Sequence, residues 1–490
     1  MEPDLDHSTS DPFVKHLNSL RNRERSWRSI TWKRHYRLHL PSLAHIYEFV
    51  GGIYGNRREG GKSEPILAIS FFELPSSGCD PGVEYRMWTH AFGNICILDF
   101  TIDPSQDLLV LVTRVPAESK FTFEVHLRTL SANDPYPKAA SPVLPCFPKD
   151  LVSMPLSNSI CTICVQISGD LVGFLMKEMD AIEVWHPASG FCVSPVSSLS
   201  FLSSQLRKSS FVLPSGIDDF IFLSQTSFLI ICPLGYLEIY HFYTLMDSSP
   251  PPVLLGSFSF PPLSEGFSFW HCSLSGNPSP GCIPHTSQPG VNSNVINSVH
   301  HLSLVDHVLV CCMYILEPTP DPARHRVHSF IFFFHANLFF EENPHSILAS
   351  WPHNPTPTNM TPVEWDAWGP ANTRCFWEHL TTDWQHELHG MHTAEKVPSG
   401  PEDSAVSMHR YLRIRDFNPF VVHKGKVLWD ESDNSHWQWR QVIKETTTTQ
   451  VEGAFKKNIE SSLPYTEVVS RQAFDMTDVM MDDCRILILK

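Results

Sequence analysis

Three segments of the chain share one pattern: an apolar residue, Glu, Val or Ile, then a ring. They are FTFEVHL (Phe121 to Leu127), DAIEVWH (Asp180 to His186) and GYLEIYH (Gly235 to His241). Their glutamates, Glu124, Glu183 and Glu238, are 59 and 55 residues apart. Ahead of each lies a second strand-like run with a polar lead-in: IDPSQDLLVLVTR, QISGDLVGFLM and FLSQTSFLIIC. Alternating runs suit half-buried antiparallel strands, and continuous apolar runs suit strands covered on both faces. A looser copy follows in SVHHLSLVDHVLVCCMYIL and RVHSFIFFFHAN. Sheets of fixed order recurring every 50 to 60 residues predict an all-β ring, a single β-propeller-like domain. About seven blades fit residues 37–490, with six to eight compatible with the length.

Other segments complete this expectation. AHIYEFVGGIYG near the start and CRILILK at the end are strand-like, and are expected to share a blade so that no sheet edge stays open. RILILK is too apolar to hang in water. Phe13, Val14, Leu17, Leu20 and Trp27 fall near helical spacing, so residues 11–28 read as an amphipathic helix with a possible partner-facing side. Residues 1–36 are thus a start, helix and linker ahead of the ring, and Pro/Ser-rich or polar insertions are expected at about 246–298, 393–406 and 445–462.

Charge narrows the partners. The net charge of −16 is uneven: eight basic residues and one acid between Lys15 and Arg37 make that stretch +7 and the remainder −23. An acidic body argues against nucleic acid or an anionic membrane as partner, because both recruit clustered positive charge. The basic stretch reads as a helix face lying on that body. MEPDLDHSTS lacks the apolar core of a signal peptide, and no run reaches the ~20 residues needed to span a bilayer. Thirteen cysteines without a framework spacing are expected to be reduced thiols in the cytoplasm or nucleus.

In EHLTTDWQHELHGMH, His379, His386, His389 and His392 with Glu378, Asp383 and Glu387 offer metal-type ligands, but no zinc signature fits, and a polar surface loop or short helix is expected instead. Cys161 and Cys164 form one Cys-x-x-Cys in a strand-like run, and Cys311-Cys312 reads as strand packing. VGGIYGNRREGGKS does not match a phosphate loop, because its glycines do not fall at the Gly-x4-Gly-Lys-Ser/Thr spacing. Asp218-Asp219 and Asp482-Asp483 are paired carboxylates without an assignable pocket. Trp365 and Trp368 suit the plugging of blade corners better than ligand stacking. No catalytic constellation, cofactor motif or metal set is expected, which favours binding over catalysis.

A series of short motifs then resembles basidiomycete F-box proteins: WRSITWKR (Trp27 to Arg34), YEFVGGIYG (Tyr47 to Gly55), IDPSQDL (Ile102 to Leu108), HLRTL (His126 to Leu130), WGPANTR (Trp368 to Arg374), RDFNP (Arg415 to Pro419), LPYTEVVSR (Leu463 to Arg471) and VMMDDCRI (Val479 to Ile486). They run in order over nearly the whole chain. The resemblance implies a WD-like propeller that holds a protein substrate, downstream of an F-box docking to the Skp-type linker of a cullin ubiquitin ligase. The helical F-box itself has no counterpart here, since Leu40-Pro41 leads into an expected strand. The alternative is a propeller-type metal-dependent hydrolase using the 378–392 cluster.

Overall fold

The computed structural model describes residues 12–32, 34–37, 46–58, 68–75, 85–93, 95, 97–116, 118–149, 162–192, 211–212, 216–243, 252–282, 307–319, 326–340, 343, 346–350, 361–378, 384–398, 409–425 and 437–490. Within them the chain folds into antiparallel sheets arranged in a ring, an all-β propeller with three helices. The first sheet orders its strands as Tyr47–Val50, Ile53–Arg58, Ala68–Glu73 and Arg86–Ala91. The second runs Ile97–Asp103, Leu108–Arg114, Phe121–Thr129 and Val143–Pro148. The third begins Ile163–Ser168, Leu171–Met176, Ala181–His186, and the short Phe191–Cys192 and Phe211–Val212 both pair with its third strand. Asp219–Ser224, Ser227–Cys232, Tyr236–His241 and Val253–Ser259 make the fourth; Ser268–Ser275, Val308–Glu317, Arg326–His335 and Thr373–Glu378 make the fifth. The sixth departs from chain order, with Leu388–His389, His392–Pro398, His409–Asp416, then the late strand Tyr465–Asp475 and outermost Trp437–Ile443.

Glu124, Glu183 and Glu238 all lie on the third strand of their sheets. The repeated ring two residues on shares the same strand face, because side chains alternate along a strand. Trp185 Nε1 donates to Glu183 Oε2 at 3.1 Å, and Tyr240 Oη donates to Glu238 Oε2 at 2.8 Å. His126 Nε2 lies 3.5 Å from Glu124 Oε2. Glu-x-ring is therefore a local pairing that lets a carboxylate be buried between blades.

Each second strand has apolar residues on both faces. Leu108, Val110 and Val112 pack with the third sheet, while Leu109 and Leu111 pack with the first. Every sheet is flanked in this way, and the last two interfaces explain the carboxyl terminus. The strands Asp478–Met481 and Ile486–Leu489 pair only with each other. One face of that hairpin (Val479, Met481, Ile486, Ile488) packs on Leu412, Ile414 and Val468 of the sixth sheet. The other face (Met480, Leu487, Leu489) packs on Phe49, Tyr54 and Phe72 of the first. The ring closes by this wedge, a two-stranded seventh unit. The expected shared blade is corrected: the first four strands complete their own sheet.

Other expectations change as well. Segment 246–298 was expected to be insertion, yet it supplies Val253–Ser259 and Ser268–Ser275, while 283–298 lies outside the described residues. Segment 393–406 contributes His392–Pro398, whose polar composition hides a buried network. Glu395 on that strand pairs with Arg413 at 2.7 Å and with Arg415, and Arg415 lies 3.6 Å from Glu467. Burial alone would raise the Glu395 pKa, but the two guanidinium groups outweigh it and hold the carboxyl below its ordinary value. Segment 445–462 holds the hairpin Thr447–Thr449 and Ile459–Ser461, and buries Val451, Ala454 and Phe455 against the fifth sheet.

The helices are α1 (Pro12–Ser29), α2 (Trp365–Asn372) and α3 (Pro419–Lys424). On α1, Trp27 is buried against the sixth sheet, Leu17 and Leu20 are half-buried, and Val14 is exposed; the Phe13 side chain lies outside the described residues.

Glu395→Ala strands Arg413 and Arg415 in the core, so chemical denaturation is expected to show a loss of about 3–5 kcal/mol at neutral pH. Because the folded pKa of Glu395 is depressed, its contribution is present above the unfolded carboxyl pKa and fades as pH falls below it. The gap between wild type and variant should therefore narrow in acid.

Candidate functional site

A concavity of about 600 Å³ opens between the fourth and fifth sheets. It lies at the end of the ring that carries the turns between second and third strands. Three segments wall it: the turn Pro233-Leu234-Gly235, the crossing Phe260 to Leu263, and Phe267 to Phe269 at the start of the fifth sheet. Gly235 has φ +77°, and a Cβ there would lie 2.1 Å from the Phe269 ring, so only glycine lets the ring close over the turn. Phe260 stacks on Trp365 at 6.1 Å and 22°, which fixes the floor. Prolines 233, 261, 262 and 362 line the rest, preset in shape and with no N–H to satisfy. Glu364 is the one charged lining residue.

The rim is more exposed than core formation requires. Leu234, which lines the groove, is 66% exposed, and Trp270, next in sequence to the lining residue Phe269 and set out by a register shift in the first strand of the fifth sheet, is 63% exposed. Exposed large apolar side chains beside an apolar groove are the features of a binding surface. Pro261 and Pro262 fall in the segment expected to be insertion (246–298), so the sequence pattern does not reveal the groove. The usable signal is the aromatic run Phe267, Phe269 and Trp270 a few residues after Pro261-Pro262.

The residues singled out from sequence occupy other places. His386 and Glu387 are buried where the sixth sheet, the terminal hairpin and the first sheet meet, not on a polar surface loop or short helix. His386 Nδ1 lies 3.7 Å from Glu48 Oε1. Burial, followed by Asp478, holds the Glu387 carboxyl well above its usual pKa, with Lys396 opposing. His389 and His392 turn instead toward α1. Burial lowers the His392 pKa, but Asp416 and then Glu24 overcome it, for a net rise. Glu378 ends a strand of the fifth sheet, while His379 and Asp383 lie outside the described residues. The described cluster members thus divide between two settings.

Asp218 and Asp219 act as clasps between blades. Cys272 N donates to Asp218 Oδ2 at 3.0 Å, Leu274 N donates to Asp219 Oδ2 at 2.8 Å, and Lys177 Nζ lies 2.6 Å from Asp218 Oδ1. Burial pushes Asp219 up to about 7 against the pull of these N–H groups. Asp99, on the innermost strand of the second sheet, is raised to about 7 by burial, opposed only by the Phe100 N–H. Trp365 and Trp368 are buried on α2, with Trp368 Nε1 donating to Ser259 O at 2.9 Å. Cys164 is half-buried in a strand, and its partner Cys161 lies outside the described residues. Cys311 and Cys312 face opposite sides of their sheet. Gly51 and Gly52 form a hairpin turn covered by the Arg485 guanidinium, which leaves no phosphate cradle there. Asp482 accepts from Cys484 N and Arg485 N, as the cap of the terminal hairpin turn.

No protein-family model and no curated protein matches the chain. Among solved structures it is similar to the WD40 domain of Toxoplasma gondii coronin, at 8% identity and TM-score 0.36 over 94% of this chain and 96% of that one. It is also similar to the N-terminal domain of Nup159, at 8% identity and TM-score 0.30 over 88% and 89%. For Kluyveromyces lactis Hsv2 the figures are 11% identity and TM-score 0.29 over 60% and 74%.

Two outcomes test this geometry. In Asp99→Asn the raised carboxyl is gone. Wild type loses stability as pH rises from about 4 to about 7, because the unfolded chain ionises first. The thermal midpoint of the variant relative to wild type should therefore climb through that window and level off above it. Gly235→Ala forces a strained left-handed residue into the Phe269 ring, and should cost more than about 1 kcal/mol in denaturant unfolding.

Proposed function

We propose that this chain is a non-enzymatic protein-interaction propeller, of the kind that forms the substrate-recognition part of an F-box adaptor of a cullin ubiquitin ligase. One observation carries the interaction role: a preformed apolar groove of about 600 Å³ with exposed Leu234 on its wall and exposed Trp270 next in sequence to the lining residue Phe269. Prolines and a locked glycine turn make the groove rigid, so little ordering entropy opposes binding. A partner segment presenting an apolar or aromatic side chain fits these walls, and Trp270 is the expected hot spot. The finer assignment to an F-box adaptor is supported by the ordered motifs from WRSITWKR to VMMDDCRI. A Skp-type linker would be engaged only through a helical F-box upstream, and the place of action would be the cytoplasm or nucleus.

Capture from fungal lysate, compared between wild type and a Leu234→Glu/Trp270→Ala variant of unchanged circular dichroism, tests the reading. A set of proteins retained by wild type and lost by the variant, by about tenfold or more, is the expected result. No retained protein, or an identical set on both baits, overturns it.

A further inference from the structure

Three buried polar atoms sit together where α1 meets the sixth sheet, and none makes a hydrogen bond: His389 Nδ1, His392 Nε2 and Asp416 Oδ2. Their residues form a row across three strands. His389 is register-paired with His392, and His392 with Asp416. Directly paired residues project from the same face of a sheet, so backbone hydrogen bonding holds imidazole, imidazole and carboxylate side by side. Asn418 N donates to Asp416 Oδ1 at 2.9 Å, which locks that carboxylate and leaves Oδ2 aimed along the row. Trp27 of α1 stacks on the His392 ring at 5.4 Å and 26°, fixing its orientation. One turn of helix back, a carboxylate oxygen of Glu24 comes within 4.8 Å of both the His392 nitrogen and the Asp416 oxygen.

We propose that His392, Asp416 and Glu24 form a divalent transition-metal site, of the zinc class, that fastens α1 to the sixth sheet. The separation of His392 Nε2 from Asp416 Oδ2 is 3.6 Å. That is too long for an N–H···O hydrogen bond, yet it matches the donor–donor edge of about 3.3–3.6 Å set by metal–ligand bonds of about 2.0–2.2 Å in a tetrahedron. Nitrogen and carboxylate donors without thiolate suit zinc or cobalt better than softer ions. Glu24 is the exchangeable ligand, since Arg28 and Arg23 hold its carboxylate only at 3.7 and 3.9 Å. His389 is register-paired with His392 on the same face and lies outside this ligand set.

The chelator-stripped full-length chain, titrated with cobalt(II) and then zinc, tests this. One equivalent of cobalt should give the intense visible absorption of a tetrahedral centre. One equivalent of zinc should displace it and raise the thermal midpoint. Trypsin cleavage within Arg21 to Arg28 should slow when zinc is added. His392→Gln and Asp416→Asn should each weaken zinc binding by about tenfold or more, while His409→Gln, an exposed histidine elsewhere, should leave it unchanged. Glu24→Gln, at a half-buried helix position, gives the same readout if a core variant fails to fold. Absence of the cobalt absorption, or equal zinc affinity in wild type and in the folded Glu24 and His392 variants, overturns the site and leaves only adventitious histidine binding.

Discussion

A sheet with two apolar faces has no stable life alone. Each blade here buries one face against its predecessor and the other against its successor, as Leu108 to Val112 do by simple alternation. In a row of such blades the two end faces remain wet, and each would expose several large side chains at roughly 1.5–3 kcal/mol apiece. Only closure removes both. The terminal hairpin meets that constraint with strands of four residues, each presenting alternate side chains to different sheets. The apolar run RILILK is thus a two-faced wedge, and the position of every other blade depends on its being seated.

This dependence accounts for what was legible in the sequence. Period-two alternation and the Glu-x-ring pattern are local, so the third strands of three blades could be recognised from composition within seven residues. One carboxylate oxygen of each of the buried Glu183 and Glu238 is met by a ring encoded two positions away, Trp185 and Tyr240, while the other oxygen of Glu183 accepts from Phe147 N of the preceding sheet. Closure is not local. Tyr47 lies 431 residues from Asp478, to whose carboxylate its hydroxyl donates. Nothing in either stretch states whether they will share a sheet or flank a wedge.

The sixth sheet was misread for a different physical reason. Its second strand, HTAEKVP, looks solvated because Thr393, Glu395 and Lys396 alternate with small apolar residues. The cations that neutralise Glu395 stand on another strand, and a third closes the network through Glu467. Burial of charge depends on partners brought by topology, so polarity patterns fail wherever ion pairs replace apolar contacts. The same holds for His392 and Asp416, which are adjacent in register but 24 positions apart in sequence.

The motifs that carry the family resemblance have structural duties. In IDPSQDL, Asp103 accepts from Ser105 N and Gln106 Nε2, and Asp107 adopts the left-handed conformation that ends the turn. In RDFNP, Arg415 joins the buried network, Phe417 fills the core, Asn418 caps α3 and Pro419 opens it. In WGPANTR, Arg374 is buried and donates to Leu463 O. Such residues specify a ring of this construction, whatever it holds. The groove uses none of them: Leu234 and Phe269, with Trp270 next in sequence to Phe269, fall between the motifs, on a turn and a strand start. Scaffold and exposed surface are thus encoded in separate sets of positions, so side chains at the groove can change without touching the contacts that hold the ring.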